Sequence, residues 1–198
     1  MKWGCTFANL LILRNEKNQM EAEKGSNVVY SRNVIEFVAV ATEYCVLIES
    51  AAKYQTGHLV EITRKLLALL YLKTSLLPDI QPALEEELEK YVNELDYNVL
   101  LDKWLHKLGG YDLYHEVFDP EIQFGTETVT ASISEGLLDI YQVLKDGMTA
   151  YSLGDEEIMN DALADCLAQF RNFWGQRLVN VLRALHQLYA AGIDWEQK

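Results

Sequence analysis

The sequence predicts an all-α protein, a single compact array of six or seven helices. Apolar residues recur at intervals of three and four along most of the 198-residue chain. No stretch of comparable length alternates apolar with polar residues, which is the pattern of a strand. Hydrophobic residues make up 49% of the chain and charged residues 24%, a balance typical of a globular protein with its own core.

Residues 1–30 are expected to be a weakly ordered N-terminal extension, residues 31–192 a single helical domain, and residues 193–198 a tail. The apolar stretch from Trp3 to Leu13 is too short to span a bilayer and lacks the cleavage site of a secretory signal. Met20, which begins a polar run, is an alternative start of the chain.

The first helix is predicted to begin after Ser31 or Asn33, and Asn33 and Glu36 have capping-box spacing. Its apolar face consists of residues at helical spacing: Val34, Phe37, Val38, Ala41, Tyr44, Cys45, Ile48 and Ala52. A second helix is expected from Thr56 to Ser75, and Pro78 follows it as a helix breaker.

Helical spacing resumes from Ala83 to Leu108, in two pieces that Gly109-Gly110 terminates. Residues 111–130 are expected to be a linker with four aromatic residues: Tyr111, Tyr114, Phe118 and Phe124. Their spacing favours either a short helix that packs on the core as a lid or an exposed recognition patch.

The last third of the chain gives two further helices. Ser132 and Glu135 have capping-box spacing and begin a helix that ends near Gly154. Asp155 then opens a final helix with acidic residues on its first turn, where the helix dipole favours them, and Gly192 stops it. Its predicted apolar stripe is Met159, Ala162, Cys166, Phe170, Phe173, Trp174, Arg177, Val181, Leu185 and Leu188.

The net charge of −13 makes free nucleic acid and anionic membranes poor partners, because both would be approached against repulsion. Residues 79–127 carry 13 acidic and 3 basic residues, and residues 128–168 carry 8 acidic residues and one basic residue. This acidic region favours a protein partner with a basic surface. The uneven charge also makes a homo-oligomer possible.

The patterns of known catalytic and metal sites are missing from the sequence. There is no Glu-x-x-His pair of a di-metal bundle, no phosphate-binding glycine loop and no serine nucleophile elbow. Cys5, Cys45 and Cys166 are far apart, which argues against disulfides and a zinc site and favours buried thiols in a reducing cytoplasm. We predict no catalytic residues, no metal and no cofactor, and an enzyme is the less favoured class.

Arg177 stands out because the spacing puts its guanidinium on an apolar stripe, where an unpaired charge is costly. Either its head reaches solvent or pairs with a helix-borne glutamate, or it lines a pocket or partner surface beside Trp174. Arginine and tryptophan are over-represented at binding hot spots. The candidate binding residues are Tyr114, His115, Asp119, Tyr141, Trp174 and Arg177.

Three motifs resemble one bacterial family. Residues 114–120 (Tyr-His-Glu-Val-Phe-Asp-Pro) are similar to its Y-x-x-VFDP stretch, and residues 136–147 resemble its L-x-DIY-x-DLK-x-G stretch. Residues 170–175 resemble F-x-x-HWG, with the downstream LRALH at residues 182–186. Over about residues 33–190 the chain is thus similar to domain of unknown function 5063, which implies a single all-α domain without an established activity.

The chain departs from this family pattern at two positions. Phe173 stands where a histidine precedes Trp-Gly, and Arg177 stands where another histidine often lies. The resemblance therefore implies that any chemistry performed by those histidines in relatives is lost here.

Two classes of function are open. We favour a non-catalytic cytoplasmic interaction or regulatory domain that binds protein through the acidic region 79–127 or a Trp174–Arg177 face. The alternative is a small-ligand-binding protein or enzyme with an inter-helix pocket near Tyr141, Trp174 and Arg177. A purely structural or oligomeric role is the remaining alternative.

Overall fold

The computed structural model describes residues 28–84, 88–116 and 129–195. Within them lie six α-helices and one two-stranded hairpin: α1 (Arg32–Glu49), α2 (Thr56–Ser75), α3 (Glu94–Leu108), β1 (Leu113–Glu116), β2 (Val129–Ser132), α4 (Ile133–Tyr151), α5 (Glu156–Gln169) and α6 (Gly175–Ala190). A π-helical segment, Phe170–Trp174, joins α5 to α6 in one continuous rod. The fold class is confirmed, with a small hairpin added. None of the described helices is long and apolar enough to cross a membrane.

Helix α4 lies at the centre of the fold and packs against α1, α3, α5 and α6, while α2 packs against α1 and α6. The largest fully buried side chains come from several of these helices: Trp104, Trp174, Tyr44, Phe37 and Ile48. The apolar face predicted for α1 is confirmed, since all of its predicted residues except Val38 and Ala52 are buried.

Several helix boundaries agree with the sequence. Helix α2 has the bounds that were predicted for it. The Ser132 hydroxyl accepts a hydrogen bond from the Glu135 amide at 3.0 Å and caps α4, and the Asp155 carboxylate accepts from the amides of Glu157 and Ile158 and caps α5.

The capping box predicted for α1 is wrong. The helix begins at Arg32, directly after Ser31. The side-chain amide of Asn33 instead donates a hydrogen bond to the carbonyl of Leu76 at 3.0 Å. The Glu36 carboxylate accepts hydrogen bonds from the side chains of Arg32 and Lys73. Leu76 and Lys73 lie at the carboxyl end of α2, so contacts with another helix engage the two side chains that the capping box would use.

The helical piece predicted from Ala83 onward is also wrong, because no described residue between 83 and 93 is helical. We call residues 79–84 and 88–92 the strap. The Asp161 carboxylate accepts hydrogen bonds from the amides of Ala83 and Leu84 at 2.6 and 2.8 Å. Asp146 accepts from Tyr91 and Val92 at 2.7 and 2.9 Å. These buried carboxylates accept hydrogen bonds from backbone N–H groups that would donate to backbone carbonyls in a helix.

Where the linker is described, residues 113–116 form a strand and not the lid helix that was one of the two expected alternatives. Strand β1 pairs antiparallel with β2, with Leu113 opposite Ser132 and Glu116 opposite Val129. Exposed and half-buried residues alternate along β1, which is the period of a strand. Phe118, Asp119 and Phe124 lie outside the described residues.

The structure describes little of the predicted N-terminal extension and half of the predicted C-terminal tail. Residues 1–27, which include most of the predicted N-terminal extension, lie outside the described residues. Of the predicted tail, residues 193–195 are described, and the Trp195 ring packs edge-on at 5.2 Å from the ring of Tyr111.

Candidate functional site

The junction between α5 and α6 is a π-helical turn. The Gly175 amide donates to the carbonyl of Phe170, five residues earlier, where an α-helix would use a residue four earlier. A Cβ atom at position 175 would lie 2.4 Å from that carbonyl oxygen. Glycine is therefore required for the close approach of the two backbone groups.

The π turn adds one residue to the rod and so rotates the rest of the apolar stripe. Trp174, Leu178 and Val181 are fully buried. Phe173 is 38% exposed, and the Arg177 side chain is 44% exposed. The placement of Phe173 and Arg177 on the buried stripe is therefore wrong.

Trp174 belongs to the core. Its indole N–H donates to the carbonyl of Cys166 at 3.0 Å, and its ring lies 4.6 Å from that of Phe170. Trp174 and Arg177 consequently do not share an exposed face.

Arg177 is instead held in a small group of side chains at the surface. Its Nη1 atom lies 3.1 Å from Oδ2 of Asp139, and its guanidinium lies 4.9 Å from the centre of the Phe173 ring. The Tyr97 hydroxyl donates to the other oxygen of Asp139 at 2.9 Å. We call Tyr97, Asp139, Phe173 and Arg177 the Arg177 cluster; it joins α3, α4, the π turn and α6.

The Tyr97 hydroxyl of the Arg177 cluster has a pKa above its ordinary value. Burial raises the pKa of Tyr97 above its ordinary value, and so do Asp139 and the charge of Glu135. Arg177 lowers this pKa, but its effect is the smallest. The carboxylates thus outweigh the one guanidinium at this point of the surface.

Strand β1 places Tyr114 near the cluster. The Tyr114 side chain is half-buried, and burial together with the charge of Glu116 raises its pKa to about 12, against the opposing charges of Arg177 and Arg183. Glu116 in turn accepts a hydrogen bond from Asn180 at 2.6 Å. Among the predicted site residues, Tyr114 is near enough to Arg177 for the guanidinium charge to act on its pKa.

His115 contributes its backbone to this region, since its carbonyl accepts a hydrogen bond from Arg183. Tyr141 lies elsewhere: its hydroxyl donates to Glu49 of α1 at 2.9 Å. Tyr141 is two residues from Asp139 on α4, so the two side chains leave the helix in nearly opposite directions. Asp119 lies outside the described residues.

Sequence reasoning missed Tyr97 and Asp139. The partner that the sequence suggests for Arg177 is a glutamate, whereas in the structure it is the aspartate Asp139. Nothing local in the sequence indicates which faces of α3 and α4 meet α6, so no sequence signal identifies Tyr97.

The described residues include neither a cluster of metal ligands nor an activated cysteine. No group of three or more histidine, cysteine, aspartate or glutamate side chains among them could hold a metal ion. Burial raises the pKa of both Cys45 and Cys166 to about 12, so these thiols stay protonated at neutral pH and are poor nucleophiles.

Two grooves are present on the described surface. One, of about 490 Å³, lies between the strap and α5. The other, of about 300 Å³, lies between β1 and α6 and is lined in part by Tyr114, His115 and Arg183. Neither of these two grooves is lined by Tyr141, Trp174 or Arg177.

Comparison with known proteins gives a family and a related structure. The family model described as "Domain of unknown function (DUF5063)" matches residues 28–191. The crystal structure of protein BF1032 from Bacteroides fragilis is similar, with 42% sequence identity, a TM-score of 0.72, and coverage of 81% of this chain and 94% of that chain. No curated protein matches the sequence.

Proposed function

The chain belongs to the family described as domain of unknown function 5063, and on this premise we propose that it is a non-catalytic protein-interaction domain whose binding face is centred on the Arg177 cluster. We further propose that the protein acts in the cytoplasm.

The π turn is the observation that carries this proposal. Such turns are rare within helices and occur frequently at functional sites. Here the turn directs Phe173 and Arg177 outward while Trp174 remains in the core. A regular helix would have buried the first two residues, so the fold uses an unusual backbone conformation to expose an aromatic ring and a guanidinium.

The side chains of the cluster are also held in place before any partner arrives. Asp139 fixes the Arg177 guanidinium on one side and Phe173 covers its face. Asp139 is itself held by the Tyr97 hydroxyl. Arginine and aromatic residues dominate binding hot spots, and side chains that are already ordered lose less entropy on association.

The charge around the cluster favours a partner with a basic surface. Helix α3, which supplies Tyr97, exposes three carboxylates, Glu94, Asp96 and Asp102, and one lysine, Lys103. Glu135 on α4 is likewise exposed and adds to the negative potential at Tyr97. Nucleic acid and anionic membranes remain unfavourable partners for the same reason.

The alternative, a ligand pocket near Tyr141, Trp174 and Arg177, has less support. The Tyr141 hydroxyl is paired with Glu49 and the Trp174 ring is fully buried. The three side chains therefore do not converge on a common space.

A photo-cross-linking experiment tests the proposal. A benzophenone amino acid is placed at position 173 of the full chain, which is then irradiated in a native lysate at low and at high salt. We expect a discrete cross-linked protein that is lost at high salt and on Arg177→Ala. The matched control carries the same probe at Leu69 of α2, whose exposure of 40% is close to the 38% of Phe173.

Three outcomes would contradict the proposal. One is no discrete product from position 173, and another is the same product from position 69. The third is a product that Arg177→Ala leaves unchanged. A product of twice the chain mass would indicate self-association and contradict a basic partner.

A further inference from the structure

The groove between the strap and α5 has the dimensions of a small-ligand site, and its lining is partly apolar and partly charged. Its volume of about 490 Å³ lies within the usual range for such sites, roughly 300 to 1,000 Å³. The apolar lining comes from both sides: Ile80, Leu84, Leu88, Ala164, Leu167 and Ala168. Ala164 and Ala168 lie one turn apart on α5, and their short side chains leave the space open.

The strap wall of the groove is anchored to α5. Asp161 holds the amides of Ala83 and Leu84, and Asn160 donates to the carbonyl of Gln81 at 2.8 Å. The groove is therefore formed by hydrogen-bonded backbone before any ligand enters, which lowers the entropic cost of binding.

The charged groups that line the groove have spare donors, while the carboxylates are occupied. Asp161 accepts the two strap amides, and Asp165 accepts from Lys90 at 3.3 Å and from Gln169 at 2.8 Å. Among the described side chains the Lys90 ammonium pairs with Asp165 alone, although it has three N–H groups. Arg171 has five N–H groups, and within the described part of the chain it makes one polar contact, at 3.0 Å with Asp79.

Both partners of each of these two ion pairs are exposed, whereas the Asp139 partner of Arg177 is only 22% exposed, so these two pairs exchange more easily. Side-chain exposure is 56% and 43% for Lys90 and Asp165, and 57% and 64% for Arg171 and Asp79. Ion pairs this exposed contribute little to stability. Asp79 and Asp165 can return to water while a ligand anion takes their place.

From the apolar walls and the spare cationic donors we propose that this groove binds an aliphatic chain that ends in an anionic group, such as a free medium-chain carboxylate. The chain lies along the alanines of α5, and the anionic end accepts hydrogen bonds from Lys90 and Arg171. The site is separate from the Arg177 cluster and does not depend on the proposed protein-interaction function.

The test uses three small probes on the full chain, followed by calorimetry and by amide chemical shifts in NMR spectra. Decanoate has both the chain and the charge, decanol has the chain alone, and acetate has the charge alone. We expect decanoate to shift the amides around Ala164 and Ala168 and to bind about tenfold or more tightly than decanol. Acetate should shift neither amide at the same concentration.

Variants locate the binding site. Ala168→Trp fills the groove from an exposed position of α5 and should abolish binding of decanoate with the fold intact. The double substitution Lys90→Ala and Arg171→Ala should reduce decanoate affinity to that of decanol. Lys65→Ala is the matched control, because Lys65 also forms an exposed ion pair, with Glu61 on α2, and it should leave affinity unchanged.

The proposal is overturned if decanoate produces no shifts near the groove, or if decanol binds as tightly as decanoate. It is also overturned if Ala168→Trp leaves binding intact. Vesicles of phosphatidylcholine and phosphatidylglycerol distinguish a membrane lipid from a free molecule: binding to these vesicles without binding to decanoate contradicts the proposal.

Discussion

The backbone amide of Gly175 donates to the carbonyl of Phe170, five residues earlier, and this hydrogen bond determines which side of α6 faces water. Counted from Cys166, a regular helix would bring residues 173 and 177 to the buried face. The structure buries Trp174 and Leu178 there instead.

Replacement of Gly175 by alanine should destabilise the fold by about 1 to 3 kcal/mol, because the new methyl group overlaps the Phe170 carbonyl oxygen. Urea denaturation measures the change. Gly110→Ala is the control, since a Cβ atom there meets nothing within 4 Å, and it should change the free energy of unfolding by less than about 0.5 kcal/mol. Equal effects of the two substitutions would refute the π turn as described.

Alanine substitutions at the neighbouring positions 173 and 174 should differ strongly. Trp174→Ala removes a fully buried ring and is expected to cost about 3 to 5 kcal/mol of stability. Phe173→Ala removes a ring that is 38% exposed and should cost less than about 1 kcal/mol. Thermal or urea unfolding of the two variants provides the comparison, and a larger loss at Phe173 would mean that α6 is rotated the other way.

The ion pair between Arg177 and Asp139 should contribute little to stability. Because the Arg177 side chain is 44% exposed, a double-mutant cycle with alanine at both positions should give a coupling of about 0.2 to 1 kcal/mol. Asp139→Ala alone should cost more than Arg177→Ala, because it also removes the acceptor of the Tyr97 hydroxyl. A coupling above about 2 kcal/mol would instead identify a structural ion pair.

The strap should loosen in acid. Burial raises the pKa of Asp161, but hydrogen bonds from the amides of Ala83 and Leu84 and from Asn160 outweigh burial, so the pKa is lower than its ordinary value. The stabilisation is therefore present above the unfolded-state pKa of about 3.9 and is lost as the pH falls through the lower folded-state pKa.

Urea unfolding between pH 7 and pH 2.5 checks this pH dependence. The difference in unfolding free energy between the wild-type chain and Asp161→Asn should shrink as the pH falls below about 4. Asp102→Asn, at an exposed position of α3, serves as the control and should show no such convergence. A difference that stays constant down to pH 2.5 would contradict the assigned role of Asp161.

Much of the fold follows from the spacing of apolar residues along the chain. Helix α2 has its predicted bounds, Ser132 caps α4 as expected, and α5 begins with acidic residues on its first turn as expected. These features depend on residues within one or two helical turns of each other, so a single sequence contains the information that specifies them.

The strap and the hairpin could not be predicted in this way. The strap amides bond to Asp146 and Asp161, which lie more than 50 residues away in the chain. Strand β1 is only four residues long and pairs with residues beyond a long connection. In both places distant partners outweigh a weak local preference.

In the candidate site, too, some features follow from the sequence and others only from the tertiary structure. The sequence by itself determined the helical class and the acidic character, and it singled out Arg177 but placed this residue on the wrong face of the helix. Only the tertiary structure decided that Arg177 faces water and pairs with Asp139, which also accepts a hydrogen bond from Tyr97. The physical reason is that one additional residue in a π turn rotates all that follows it, and packing of the whole rod against α4 selects that rotation by burying Trp174 in preference to Arg177.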